Sequence, residues 1–381
     1  THFKADLSSY VEDDALIHWL VDPKGRNAVG KHALVKMGPT WDRHSEEWTV
    51  HFAIRPGDPD AFDEATVATR VQELLKVDVD IEVLKLSHWF LDRIVADKWR
   101  VDRFFLIGDA AHRQPPTSGL GLNTAIQDAH NLAWKLAEVV RGRASEALLA
   151  TYEAERKPVS VFGADWALLA LGNYALIEAA LGVSAAAPEE ANMMAFAALM
   201  SESPLGETMR ERLRETVKLQ RIEYDAHDVE LGYNYDGGAV VADGTARLPR
   251  DPMGSNYVQT SRPGSRLPHA WLTRDGERVS THDLVGSAGG YVLLTGGAAE
   301  EWESAAKAAS TEHDMDVRVV SIGEGGSYQD SQGDWTRVRG IDASGAILVR
   351  PDNFVAWRAA TAGPDSTAAL CAAVANIIGR T

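Results

Sequence analysis

The sequence predicts an α/β (α+β) protein of several domains, and three observations carry that expectation. Short apolar-aromatic runs separated by turn residues fill positions 1–57. A short apolar run, a proline- and glycine-rich turn and an amphipathic helix follow one another across 104–140. Strands and helices alternate beyond 290. At 381 residues the chain is long enough to bury more than one core.

In order, ALIHWLVD (15–22), KHALVKMG (31–38) and EWTVHFAIR (47–55) read as strands broken by PKGRN and PTWDRHS. DEATVATRVQELLK (63–76) sets Val67, Val71, Leu74 and Leu75 at helical spacing, and IEVLKLSHWFLD (81–92) reads as extended. FFLIGD (104–109) lacks alternation, which predicts a buried strand covered on both faces. A helix follows from about Asn123, its apolar stripe made of Leu122, Ile126, Ala129, Leu132, Ala133, Leu136 and Val140. Arg141-Gly142 supplies a basic last turn and a C′ glycine. A second helix starts near Ser145 with Leu148, Leu149 and Tyr152 inward, and Pro158 is expected to kink or restart it. Residues 164–231 read as helical, and 232–266 as a Gly/Pro/Asp/Ser-rich linker. YVLLTG (291–296), VRVVSIG (317–323) and AILVRPDNFVAWR (346–358) are expected strands, with helices at 299–309 and 364–379 and a turn at GSAGG (286–290).

Composition narrows the function. Hydrophobic residues at 45% and charged residues at 24% match soluble globular proteins. A net charge of −17 repels nucleic acid and anionic membranes, so neither is an expected partner. The single cysteine, Cys371, leaves no internal disulfide framework and no Cys-rich metal site, and a cytoplasmic home is expected. The chain opens at Thr1 and its first methionine is Met37, which suggests a processed or partial chain. No GxSxG, HExxH, Walker loop or strand-borne GxGxxG is found.

The chemistry concentrates in GDAAHRQPPTSGLGLN (108–123). Asp109, just after Gly108, can accept hydrogen bonds from polyol hydroxyls; the plainer alternative is a turn or capping aspartate. Pro115 and Pro116 stiffen the loop, so that a carbonyl there is aimed before a ligand arrives. Gly119 and Gly121 allow a backbone approach that a Cβ would block. Leu122 and Asn123 open a helix whose free N–H groups suit the C2=O/N1 edge of a flavin, which gains negative charge on reduction. A helix with a tight entry turn is the alternative for the glycines. His112 could be a general base, but a hydrogen-bonded structural histidine is favoured.

GDAAHRQPPTSGLGLNTAIQDAHNLAWKL together with LLATYEAERKPVS (148–160) resembles the second FAD-binding signature of the class A flavoprotein monooxygenases, the p-hydroxybenzoate-hydroxylase-fold aromatic hydroxylases. RPGSRLPHAWL (262–272) and ILVRPDNFVAWR (347–358) resemble the branch of phenol 2-monooxygenases and 2,4-dichlorophenol hydroxylases, whose members carry a C-terminal thioredoxin-like domain. The resemblance implies a substrate-binding β-sheet domain at 1–100, an FAD-binding strand-loop-helix segment at 101–165, a helical region and linker at 166–255, and a thioredoxin-like domain at 256–381. It implies that Gly108, Asp109, Pro116, Gly119, Gly121, Leu122 and Asn123 bind FAD, and that Pro116 and Phe52 face a phenolic substrate. NAD(P)H would reduce FAD, O₂ would form the C4a-hydroperoxide, and its distal oxygen would pass to the ring. The family's GxGxxG loop for the ADP half is missing, and an N-terminal segment beyond this sequence is expected to carry it. A homodimer is expected. The alternatives are a non-catalytic binding or assembly remnant, and a hydroxylase of fused-ring polyketides.

Overall fold

The computed structural model describes residues 1–12, 15–21, 23, 32–52, 66–184, 186–286, 290–297 and 299–380. Positions 24–27 of the PKGRN turn, 53–55 of the third expected strand, 63–65 of the first expected helix and 287–289 of the GSAGG turn lie outside them. The chain is mixed α and β, as expected, and forms two compact units: Thr1–Leu91 with Leu169–Arg221, and Asp92–Leu168 with Ile222–Thr381.

The first unit is built on a five-stranded antiparallel sheet of β1 (His2–Lys4), β2 (Ile17–Trp19), β3 (His32–Gly38), β4 (Glu47–Phe52) and β5 (Glu82–Lys85), in the order β2-β3-β4-β1-β5. Register places Leu34 opposite Val50 and His32 opposite Phe52, so one face collects the apolar side chains. Helix α1 (Val67–Leu75) closes that face with fully buried Val67 and Val71, the helical spacing read from the sequence.

The second unit begins with two-residue strands: β6 (Ile94–Val95), β7 (Arg100–Val101), β8 (Phe104–Phe105) and β9 (His112–Arg113). Helix α2 spans Leu120–Val140, and α3 spans Ala147–Leu181, with the boundary between the units falling inside α3. The first unit takes up α4 (Glu189–Met200) and α5 (Pro204–Lys218); short α6 (Arg221–Tyr224) and α7 (His227–Leu231) follow. After the linker come the β10 (Trp271–Arg274)–β11 (Glu277–Ser280) hairpin and α8 (Asp283–Gly286). A mixed sheet then orders β13 (Val317–Ser321), β12 (Tyr291–Thr295), β14 (Ala346–Val349) and β15 (Val355–Ala359), flanked by α9 (Ala299–His313), α10 (Asp334–Val338) and α11 (Ser366–Ile377). Every residue of β12 and β14 is buried, which is why both read as unbroken apolar runs.

Three expectations change. FFLIGD is not a strand covered on both faces: only Phe104–Phe105 pair, with Arg100–Val101, and Phe104 is 79% exposed. Gly108 at φ +55 turns the chain into a 3-10 segment at Gly108–Ala110 and ends the extension. AILVRPDNFVAWR is two strands, since Pro351, Asp352 and left-handed Asn353 (φ 64) make a turn closed by the Asn353 N–H donating to the Arg350 carbonyl at 3.0 Å. Helix α3 runs through Pro158 as one helix. The proline forfeits one backbone bond, but buried Tyr152, Glu155 and Arg156 before it and Ser160, Ala164 and Ala167 after it hold the helix in place. By length and composition α3 could also cross a bilayer, yet these positions are packed inside protein.

Candidate functional site

The Gly-Asp turn is pinned from three directions. Val95 pairs with His112 and Ile94 with Arg113, and the Ala96 N–H donates to the Ala111 carbonyl at 2.8 Å. The Tyr152 hydroxyl of α3 donates to the Leu106 carbonyl at 2.8 Å. Gly108 needs to be glycine: beyond its positive φ, a Cβ there would stand 3.0 Å from Cβ of Ala125 in α2. Asp109, next in sequence, is exposed, and its carboxylate finds no hydrogen-bond or ionic partner among the described residues. His112 goes the other way. It is buried, stacked on Trp99 with ring centroids 5.4 Å apart, and its Nε2 lies 2.7 Å from Asp128. That is a structural histidine.

The second half of the loop leads into α2. Pro116 precedes a 3-10 turn over Thr117–Gly119, and its carbonyl accepts the Gly119 N–H at 3.0 Å, which leaves one lone pair free. Ser118 (φ 69) and Gly119 (φ 61) are successive left-handed residues that swing the chain into the helix. No side chain caps the helix N-terminus, while Asn123 Nδ2 donates back to the Gly119 carbonyl at 2.9 Å. Leu122, at 73% exposure, and Asn123 lie on the surface. Beyond its chain neighbours and the helix's own backbone, a Cβ added at Gly119 or Gly121 would meet no atom of the described residues within 4 Å. Gly121 is therefore a helical residue with no internal reason to be glycine, although alanine would favour the helix by about 1 kcal/mol.

The structure thus brings the Gly108–Asp109 turn against the first turns of α2, as the Gly108–Ala125 contact shows. Phe52 is elsewhere. It ends β4 in the first unit, packed with the cluster of Leu34, Trp48 and Val50 and edge-on to His32 at 5.7 Å. His51 alternates onto the opposite face of that sheet.

Behind the loop lies a layer of charge that sequence reasoning missed. The buried face of α2 carries Thr124, Asp128, Asn131, Lys135 and Glu138. Glu155 of α3 accepts from Lys135 Nζ (2.7 Å), Asn131 Nδ2 (2.7 Å), the Ala239 N–H (2.8 Å) and both terminal nitrogens of Arg350 (2.8 and 2.9 Å). Arg350 also grips Asp352 at 2.9 and 2.6 Å. Burial alone would raise the Glu155 carboxyl, but Arg350 and Lys135 outweigh it and hold it at about 2. Burial lowers Lys135 to about 8, because its one strong anion is shared and Arg350 repels it. The apolar stripe is meanwhile split: Leu122, Ile126 and Val140 are 73%, 58% and 84% exposed, whereas Leu132 is buried and half-buried Leu136 packs with it against Trp99 and Tyr152. The polar residues at 124, 128, 131, 135 and 138 repeat at helical spacing, and that second stripe was the available signal. A cavity of about 760 Å³ adjoins the start of α2, with Leu120, Asn123, Phe162, Tyr233, Arg247 and Arg250 in its wall. Its cations are paired internally, Arg247 with Asp236 at 3.2 Å and Arg250 with Asp228 at 3.3 Å.

Comparison with known proteins bears on this geometry. The family described as FAD binding domain matches residues 1–166, and that described as aromatic-ring hydroxylase, C-terminal, matches 260–381. Residues 1–166 and 260–381 thus resemble the corresponding regions of FAD-dependent aromatic-ring hydroxylases. It is 38% identical to 2,4-dichlorophenol 6-monooxygenase of Delftia acidovorans, over 94% of this chain and 61% of that protein. It is 37% identical to phenol 2-monooxygenase of Pseudomonas sp. (strain EST1001), over 97% of this chain and 60% of that protein. The crystal structure of the flavin-dependent monooxygenase PieE in complex with FAD and substrate superimposes with a TM-score of 0.88 at 35% identity, covering 100% of this chain and 65% of that one. The chain therefore spans about three fifths of the length of these hydroxylase relatives.

Proposed function

We propose that the chain forms the flavin- and substrate-facing part of an FAD-dependent monooxygenase that hydroxylates a phenolic ring, with NAD(P)H and O₂ as co-substrates. The observation that carries this is Gly121, a helical glycine facing open space at an uncapped helix N-terminus. The chain gains nothing from it, so a flat body pressed against the backbone is the reason for it.

The residues present fit FAD. Asp109 offers an unengaged, exposed carboxylate to ribityl hydroxyls. The first N–H groups of α2, at Gly121, Leu122 and Asn123, offer donors and a partial positive charge to the pyrimidine edge, and they favour its anionic reduced form. The remaining lone pair of the Pro116 carbonyl can accept the substrate hydroxyl, orienting the ring and drawing electron density toward it. Bound FAD supplies the activation of oxygen; the protein supplies orientation and exclusion of water. These contacts concern the flavin half of FAD; no strand-borne glycine loop for a pyrophosphate occurs in this sequence. Phe52 is assigned a supporting place in the substrate domain. The C-terminal sheet is read as a thioredoxin-like domain of structural role, because a single cysteine provides no dithiol. A cytoplasmic homodimer completes the proposal.

The test is oxygen transfer. FAD-loaded protein is given NAD(P)H, ¹⁸O₂ and either 2,4-dichlorophenol or a fused-ring phenolic polyketide. One labelled oxygen on the monocyclic phenol for each NAD(P)H consumed supports the proposal. Label on the fused-ring compound alone would move the substrate to that class, and unlabelled rings with both would overturn the activity.

A further inference from the structure

Resting on that function, we infer that Asp128 is a positioning residue: its carboxylate sets both halves of the flavin loop in register, with His112 and Arg156 as its fixed partners. Asp128 is fully buried. Its Oδ2 accepts the Gly108 N–H at 3.2 Å and lies 2.7 Å from His112 Nε2, while its Oδ1 accepts Arg156 Nε at 2.9 Å. The Gly108 amide immediately precedes Asp109. An acceptor on α2 therefore fixes the left-handed glycine whose turn exposes the Asp109 carboxylate.

Arg156 carries the register to the other half. Its Nη2 donates to the Thr124 carbonyl at 3.3 Å and to Gln127 Oε1 at 3.2 Å, and its guanidinium lies 5.4 Å from the Tyr233 ring centroid. Those contacts hold the α2 turn that follows Gly121, Leu122 and Asn123. A packed apolar side chain would serve mere cohesion at lower cost, because a buried carboxylate must be desolvated and compensated. Only an acceptor with two engaged oxygens can bind the amide, the imidazole and the guanidinium at once. Asparagine, of the same shape, would turn an N–H₂ toward one of these donors.

The test compares Asp128→Asn with Asp352→Asn, a second buried acid paired to an arginine, whose side-chain hydrogen bonds go to Arg350 and Asn131 and not to Gly108 or His112. Hydrogen exchange of the peptide covering 104–113 is measured on the 381-residue chain, and FAD affinity by flavin absorbance with the protein as purified. Asp128→Asn is expected to speed exchange at Gly108–Ala111 and to weaken FAD, each about tenfold or more, with Asp352→Asn changing neither at a similar loss of melting temperature. Should Asp128→Asn fail to fold, His112→Gln leaves the Arg156 pair intact and is expected to speed the same exchange. Equal effects from both acids, or unchanged exchange in Asp128→Asn and His112→Gln, would overturn the inference. FAD binding by no variant, wild type included, would overturn the proposed function; the exchange result would still decide whether Asp128 holds the turn.

Discussion

Replacing Arg350 by methionine is the sharpest perturbation of the buried charge layer. Methionine keeps much of the length and removes the charge. The change breaks five hydrogen bonds, one to the Ala239 carbonyl and four to carboxylates, two to Glu155 and two to Asp352, whose side chains are at most 1% exposed. It leaves two buried carboxylates with Lys135 as the compensating cation. Holding Glu155 at about 2 rather than its ordinary 4.5 is worth about 3 kcal/mol at neutral pH. Removing one partner of a buried pair costs about 3–5 kcal/mol, a large part of the roughly 5–15 kcal/mol that keeps a protein folded. Urea unfolding at pH 7, followed by tryptophan fluorescence, should therefore show a loss of about 3–5 kcal/mol. The pH dependence has a definite sign. Glu155 is depressed, so its contribution is complete above its ordinary value of 4.5 and drains away as pH falls toward 2. Wild type should lose stability across that window, and Arg350→Met should lose less of it there. Lys135, lowered to about 8 from 10.5, has the same sign in a higher window: the unfolded chain holds its proton longer, so the cost of burying the ammonium is relieved and stability rises as pH goes from 8 to 10.5. A loss under about 1 kcal/mol with an unchanged acid limb would refute the assignment of Arg350 as the compensating charge.

Three further outcomes follow from local geometry. Gly108→Ala should cost about 1–3 kcal/mol, read as a fall in melting temperature, because its φ of +55 and the 3.0 Å approach to Ala125 both oppose a Cβ. Gly121→Ala should leave thermal stability unchanged or raise it by up to about 1 kcal/mol while weakening FAD about tenfold, a split that an internal structural glycine would not give. Ile126→Asn should shift stability by no more than about 0.5 kcal/mol in chemical denaturation, since the side chain is 58% exposed.

Much of the fold was legible where side-chain period and burial agree. Val67 and Val71 are spaced as a helix and buried as one, and the runs YVLLT and AILV are continuous because both faces are covered. Leu148, Leu149 and Tyr152 point inward as their spacing implies. The reading weakened where the apolar pattern and the protein interior part company. FFLIGD is apolar but sits beside a turn, and α2 buries aspartate and lysine while showing leucine and isoleucine to solvent. A period identifies a helix face without saying which face is packed, and a buried ion network inverts the usual answer because its partners lie far along the chain, as with Glu155 and Arg350. The left-handed turn at Gly119 was legible from local turn chemistry. Asp128 was not, since its contacts to Gly108 and Arg156 exist only after folding.

The most direct measurement is the visible absorption spectrum of the purified protein during titration with FAD, wild type beside Asp109→Ala. A saturable, stoichiometric flavin band in wild type that weakens in Asp109→Ala is the predicted result, and it would establish the loop at 108–123 as the flavin site. Wild-type protein that takes up no FAD at any concentration would contradict it.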